Sequence, residues 1–70
     1  MRIKVNGETK IISSNNNESD LESVIKNLGY DSRLIVVEYN RTILPPGQWK
    51  EQTVKDEDSL EIVTIVGGGS

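Results

Sequence analysis

Cysteine and histidine are both missing from this sequence. Without cysteine there is no disulfide framework, no catalytic thiol and no thiolate metal site. Without histidine the commonest zinc ligand of ordinary type is gone. So is the side chain that most often moves protons near neutral pH. A self-contained enzyme would have to work with carboxylates, lysine, tyrosine and hydroxyls. Phenylalanine is absent too, so isoleucine, valine and leucine must supply nearly all of the core. That β-branched bias favours strands. No apolar run approaches the length that crosses a bilayer. The opening residues Met1 to Asn6 lack the apolar stretch of a secretory leader. Positive charge is the scarcer sign: 8 Lys and Arg stand against 11 Asp and Glu, a net charge of -3. The basic residues are scattered, whereas phosphate binding needs them concentrated. The expectation is a soluble, cytoplasmic domain that binds neither nucleic acid nor membrane.

The 70 residues present are enough for one domain. At this size only about 60% of the unfolded chain's surface is buried, so the fold must be economical. Met1, Ile3 and Val5 alternate with Arg2 and Lys4, the period-two pattern of a strand with one dry face. Asn6-Gly7 follows, a strong signal for a two-residue hairpin, and Glu8 to Ile12 reads as the returning strand. Ser13 to Ser19 reads as a loop. Ser19-Asp20-Leu21-Glu22 fits a capping box with Ser19 as the cap. Leu21, Val24, Ile25 and Leu28 then form one helical stripe, and Gly29 suits the left-handed position after a helix. The spacing predicts a helix over 20–28. Leu34 to Tyr39 is a nearly continuous apolar run, which predicts a central strand covered on much of both faces. Asn40-Arg41 reads as a turn and Thr42-Ile43-Leu44 as a short extension. Pro45-Pro46-Gly47 breaks the pattern, Gln48-Trp49 suits a single helical turn, and Thr53-Val54 a small edge strand. Asp56 to Ser59 is a polar turn, and Leu60 to Val66 the last strand. The order predicts an α+β fold of the β-grasp type over residues 1–66, with one helix on one face of a mixed sheet. The last strand lies parallel beside the first. Residues 67–70 are expected to form a flexible glycine-rich tail.

Three features of this layout bear on function. Asp56, Glu57 and Asp58 cluster, but they lack the glycine and distal glutamate of a calcium loop; a solvated turn explains them better. Trp49 either anchors a partner or covers the end of a small core, and the second is favoured. The last strand and its tail are more informative. Leu60 and Ile62 share one face and Val63 and Ile65 the other. If the first pair faces the core, Val63 and Ile65 point outward beside the tail, an apolar pair suited to partner docking. Gly67, Gly68 and Gly69 follow with no side chains. A disordered end would account for them; so would a slender chain that threads a narrow channel to present its carboxylate.

The ordered set of segments resembles the ThiS sulfur carriers of thiamine biosynthesis, within the ubiquitin-like β-grasp proteins. It runs from Met1-to-Val5 with Asn6-Gly7, through Leu21-to-Leu28 and Val36-Val37-Glu38-Tyr39-Asn40. It continues with Ile43-Leu44-Pro45 and Trp49, and closes with Val54-to-Ile62 and the terminal glycines. The resemblance implies a carrier rather than an enzyme, monomeric when free and binding no cofactor itself. An E1-like adenylating enzyme of the ThiF type would use ATP and Mg²⁺ to activate the C-terminal carboxylate. A sulfur donor such as a cysteine desulfurase system would convert it to a thiocarboxylate. Thiazole synthase of the ThiG type would take that sulfur. The family's terminal glycine pair falls on Gly68 and Gly69, so the resemblance implies Gly69 as the attachment point. Ser70 lies beyond the pair; its removal in the cell, its origin in expression and its role as the native end all stay open. So do the alternatives of a molybdopterin synthase small subunit, another ubiquitin-like sulfur carrier, or a ubiquitin-like binding module with an inert tail.

Overall fold

A computed structural model describes residues 1–13 and 18–65. Residues 14–17 of the expected Ser13–Ser19 loop, the expected strand residue Val66 and the tail Gly67, Gly68, Gly69 and Ser70 lie outside the described residues.

The opening hairpin forms as its sequence dictates. Strand β1 (Arg2–Val5) pairs antiparallel with β2 (Glu8–Ile11). Asn6 and Gly7 join them with φ of 53° and 84°, the double left-handed geometry that makes Asn-Gly a hairpin turn. Ile12 ends the hairpin buried, its N–H donating to the Met1 carbonyl at 2.8 Å.

Glu18 and Ser19, expected in a loop, instead belong to strand β3 (Glu18–Asp20), held by pairing with a distant strand, and β3 leads directly into helix α1 (Leu21–Asn27). The helix starts one residue later than the sequence pattern predicts. Asp20, not Ser19, is the cap: its carboxylate accepts from the Ser23 N–H at 3.0 Å and from the Ser23 hydroxyl at 2.8 Å. Those bonds hold the Asp20 carboxyl below its ordinary pKa, the hydroxyl contact contributing most. Ser19 pairs with Val54 one residue further back in β3, so Asp20, the last residue of that strand, stands next to the first helical residue Leu21 and takes the cap. Glu22 therefore pairs forward with Lys26 at 3.7 Å, the favourable i,i+4 order. The helix also ends one residue earlier than predicted, at Asn27, with Leu28 as its cap, but the glycine closure forms as expected. Gly29 takes φ 87°, and the Gly29 and Tyr30 N–H groups donate to the Lys26 and Ile25 carbonyls, a paired closure that leaves no loose end.

A 3-10 turn (Ser32–Leu34) precedes β4 (Ile35–Tyr39), which folds back on β5 (Thr42–Leu44). A second 3-10 segment (Pro46–Glu51) carries Trp49. Strand β6 (Thr53–Lys55) pairs with β3 as a small second sheet, so Thr53-Val54 edges that sheet rather than the main one. The last strand, β7 (Ser59–Thr64), completes a five-stranded main sheet of order β2-β1-β7-β4-β5. As predicted, β7 runs parallel to β1, and it runs antiparallel to β4. This is the α+β, β-grasp arrangement expected from the sequence.

Alternation decides which face is buried. Ile3, Val5, Ile35, Val37, Leu60 and Ile62 are buried from the sheet and cluster with Leu21, Val24 and Ile25 of the helix. Leu28 packs at the edge of that cluster. Each such side chain contributes about 1.5–3 kcal/mol by leaving water. The expectation that β4 is covered on both faces is corrected here. Val36 lies exposed on the side away from the helix. One helix covers only one face of this sheet, so the apolar run of β4 is half dry and half open.

Candidate functional site

The open face of the sheet carries the outward-facing residues at the end of the last strand. Val63 is 61% exposed and Ile65 50%. Both point away from Leu60 and Ile62, which are buried, so the division of faces read from alternation holds. Across the sheet Val63 lies opposite Val36, and Leu34 is exposed beyond it. The Ile65 N–H donates to the Leu34 carbonyl at 2.5 Å. Leu34, Val36, Val63 and Ile65 thus form one apolar strip at the start of β4 and the end of β7.

The sequence pattern does not show what holds β7 in place there. Strand β1 ends at Val5, short of the upper half of β7. Asn6 takes over: its side-chain amide donates to the Ile62 carbonyl at 3.0 Å, and its side-chain oxygen accepts from the Ile62 N–H at 2.7 Å. The amide mimics one more residue of a neighbouring strand. The hairpin signal at Asn6-Gly7 concealed this second use, because both need asparagine. At the far end, Asn40 accepts from the Ser59 N–H at 3.1 Å. The strand that leads to the tail is therefore tied by side chains at its start and its middle and by Leu34 at its end. The expected attachment residues Gly67, Gly68 and Gly69 lie outside the described residues.

The acidic turn is occupied with structural bonds. The Asp56 carboxylate accepts from the Arg2 N–H at 2.6 Å, and Glu57 accepts from the Arg2 guanidinium at 2.8 Å. The Asp58 carboxylate accepts from the Lys55 N–H at 2.8 Å and the Tyr39 hydroxyl at 2.5 Å. Among the described residues no group of three or more acidic side chains is arranged to hold a metal ion. Burial, with help from the adjoining Asp58 carboxylate, pushes the Tyr39 phenol from 10.0 up to about 12. A folded pKa above the unfolded one stabilises the fold fully below pH 10, and that gain is lost as pH rises through 12. The wild type should therefore lose urea stability across this window more steeply than Tyr39→Phe. Equal slopes would show that the Tyr39–Asp58 bond does not exist in solution.

Trp49 lies in the core rather than on a docking surface. It is 1% exposed, and its indole N–H donates to the Leu44 carbonyl at 2.8 Å. No helix among the described residues is long and apolar enough to cross a membrane.

A five-stranded mixed sheet with a single helix on one face, and a last strand parallel to the first, defines a ubiquitin-like β-grasp domain. Comparison with known proteins narrows the class. The model of the ThiS family matches residues 3–69, and the chain belongs to that family. The crystal structure of the thiamine biosynthesis protein ThiS from Geobacter metallireducens superposes with a TM-score of 0.82 at 26% identity, covering 99% of this chain and 100% of that one. A thiazole synthase of Paramagnetospirillum magneticum is 39% identical over 70 residues. The chain spans about a fifth of that protein's length: all of this sequence aligns, with 21% of the relative. The uncharacterised protein ycf40 of Porphyra purpurea is 36% identical over 67 residues, 96% of this chain and 90% of that one.

Proposed function

We propose that this protein is the sulfur carrier for thiazole formation in thiamine biosynthesis, and that its reactive group is the carboxylate of Gly69. Family membership over residues 3–69 is the observation that carries the reading. The match runs through the glycines and stops before Ser70, which supports Gly69 as the working terminus. Similarity to a thiazole synthase supports that enzyme as the sulfur acceptor.

The chemistry follows from a carboxylate on a slender chain. A carboxylate oxygen attacks the α-phosphorus of ATP in an E1-like partner, with Mg²⁺ bound there, and pyrophosphate leaves. The mixed anhydride makes the carboxyl carbon electrophilic. A persulfide sulfur, supplied by a cysteine desulfurase system, attacks that carbon and expels AMP. A thiol reductant then cleaves the sulfur–sulfur bond, leaving a thiocarboxylate whose sulfur passes to thiazole synthase. Sulfur rides on the main-chain terminus, so the carrier needs no cysteine. The 1–66 domain is the handle and 67–70 the arm.

Mass spectrometry after incubation with ATP, the E1-like enzyme and a persulfide donor tests the reading. With Ser70 removed, the carrier should gain the mass by which one sulfur exceeds one oxygen. An unchanged mass would make this a binding module with an inert tail.

Docking of the E1-like enzyme falls to the apolar strip ending at Val63 and Ile65. Val63→Asp with Ile65→Asp should weaken binding by at least about tenfold, since each carboxylate would be buried without a partner against an apolar surface. Both side chains are exposed, so thermal stability should hold. Wild-type affinity in a calorimetric titration would move the docking face elsewhere.

A further inference from the structure

The open face holds a second feature beside the apolar strip. Register places Glu38 of β4 directly opposite Glu61 of β7. Directly opposed side chains have Cβ atoms about 5 Å apart, and like charges so placed repel. Both glutamates line one shallow concavity together with Ser59, Asn40 and Arg41. Among the described residues, ion pairs join Arg2 to Glu57, Lys10 to Glu8, Lys26 to Glu22 and Arg33 to Asp31. Neither Glu38 nor Glu61 takes part in one, although Arg41 stands at the same rim. The sheet gains nothing from this pairing; two threonines or valines would serve β4 and β7 better. The next outward pair toward the tail is Val36 opposite Val63. The face is thus divided, with paired carboxylates in the middle and an apolar strip at the tail end.

Resting on the docking reading above, we infer that Glu38 and Glu61 together receive an arginine or lysine of the E1-like activating enzyme. That cation seats between the carboxylates as the enzyme's apolar surface covers Val36 and Val63. Charge complementarity selects this occupant. Two negative charges side by side, neither in an ion pair among the described residues, favour a cation from outside, and a guanidinium can donate to both carboxylates at once. The same pair draws a basic enzyme surface toward the correct face of a chain whose net charge is -3. The apolar strip supplies affinity; the glutamates set approach and register.

The test is binding of the purified E1-like enzyme to the full chain at low and high salt. Glu38→Gln with Glu61→Gln keeps shape and removes charge. The expected result is about tenfold weaker binding at low salt, a flattened salt dependence, and a melting temperature equal to or above the wild type. Val63→Asp with Ile65→Asp runs in parallel. If the glutamine variant binds with wild-type affinity and salt dependence while the aspartate variant fails, the cation site is wrong and the docking face stands. If both variants bind like the wild type, the docking reading itself falls, and this inference with it.

Discussion

A chain ending at Gly67 is expected to fold and melt like the full protein yet take up no sulfur. The reason is reach. Strand β7 is held to the sheet as far as Ile65, whose N–H donates to the Leu34 carbonyl. From there to Gly69 the extended chain covers at most about 14 Å, and ending at Gly67 halves that span. Adenylation requires the terminal carboxylate to meet the α-phosphate inside a partner's site, so a terminus that stops short cannot react. Replacing Gly69 by leucine keeps the length and adds bulk at the point where glycine adds least; it should block loading similarly. The buried cluster among the described residues runs from Ile3 to Ile62, and glycine has no side chain to add to it, so the melting temperature should not move. A truncated chain that still forms thiocarboxylate would show that length and glycine have no part in the chemistry.

The second large effect is on stability. Trp49→Ala should leave little folded protein at physiological temperature. Trp49 is among the largest fully buried side chains, and truncating a buried aromatic costs about 3–5 kcal/mol. Its loss also removes the indole N–H bond to the Leu44 carbonyl at 2.8 Å, worth about 0.5–1.5 kcal/mol more. A domain of this size has only about 4–10 kcal/mol in total. Trp49→Phe keeps much of the volume but not the hydrogen bond, so it should fall between. Chemical denaturation followed by circular dichroism separates the three. A Trp49→Ala protein as stable as the wild type would mean that the indole does not pack as described.

These two expectations draw on parts of the chain that were legible to different degrees. The hairpin at Asn6-Gly7, the stripe from Leu21 to Ile25 and the two faces of the last strand follow from local spacing, and local spacing controls them in the fold. The cap did not follow. Ser19 and Asp20 are equally good cap residues in isolation. The choice fell to Asp20 because pairing of β3 with the distant β6 runs through Asp20, so the helix begins only at Leu21. The run from Leu34 to Tyr39 misled for a related reason. Apolar residues on both sides of a strand predict two dry faces, but the chain has one helix to offer, and Leu34 and Val36 stay exposed. Asn6 and Glu38 were hidden at the level of register. Nothing near Asn6 in sequence marks it as a partner of Ile62, and Glu38 opposes Glu61 only once β4 and β7 are aligned. The expected tail, Gly67 to Ser70, lies outside the described residues and is read from composition alone.

The central claim is that sulfur is carried on the carboxylate of Gly69. The most direct measurement compares chains ending at Gly69 and at Ser70, each incubated with purified E1-like enzyme, ATP and a persulfide donor and read by mass spectrometry. The chain ending at Gly69 should gain sulfur at its terminus, and the chain ending at Ser70 should remain unmodified. Equal loading of both would assign the reactive carboxylate to Ser70, and loading of neither would contradict the carrier function.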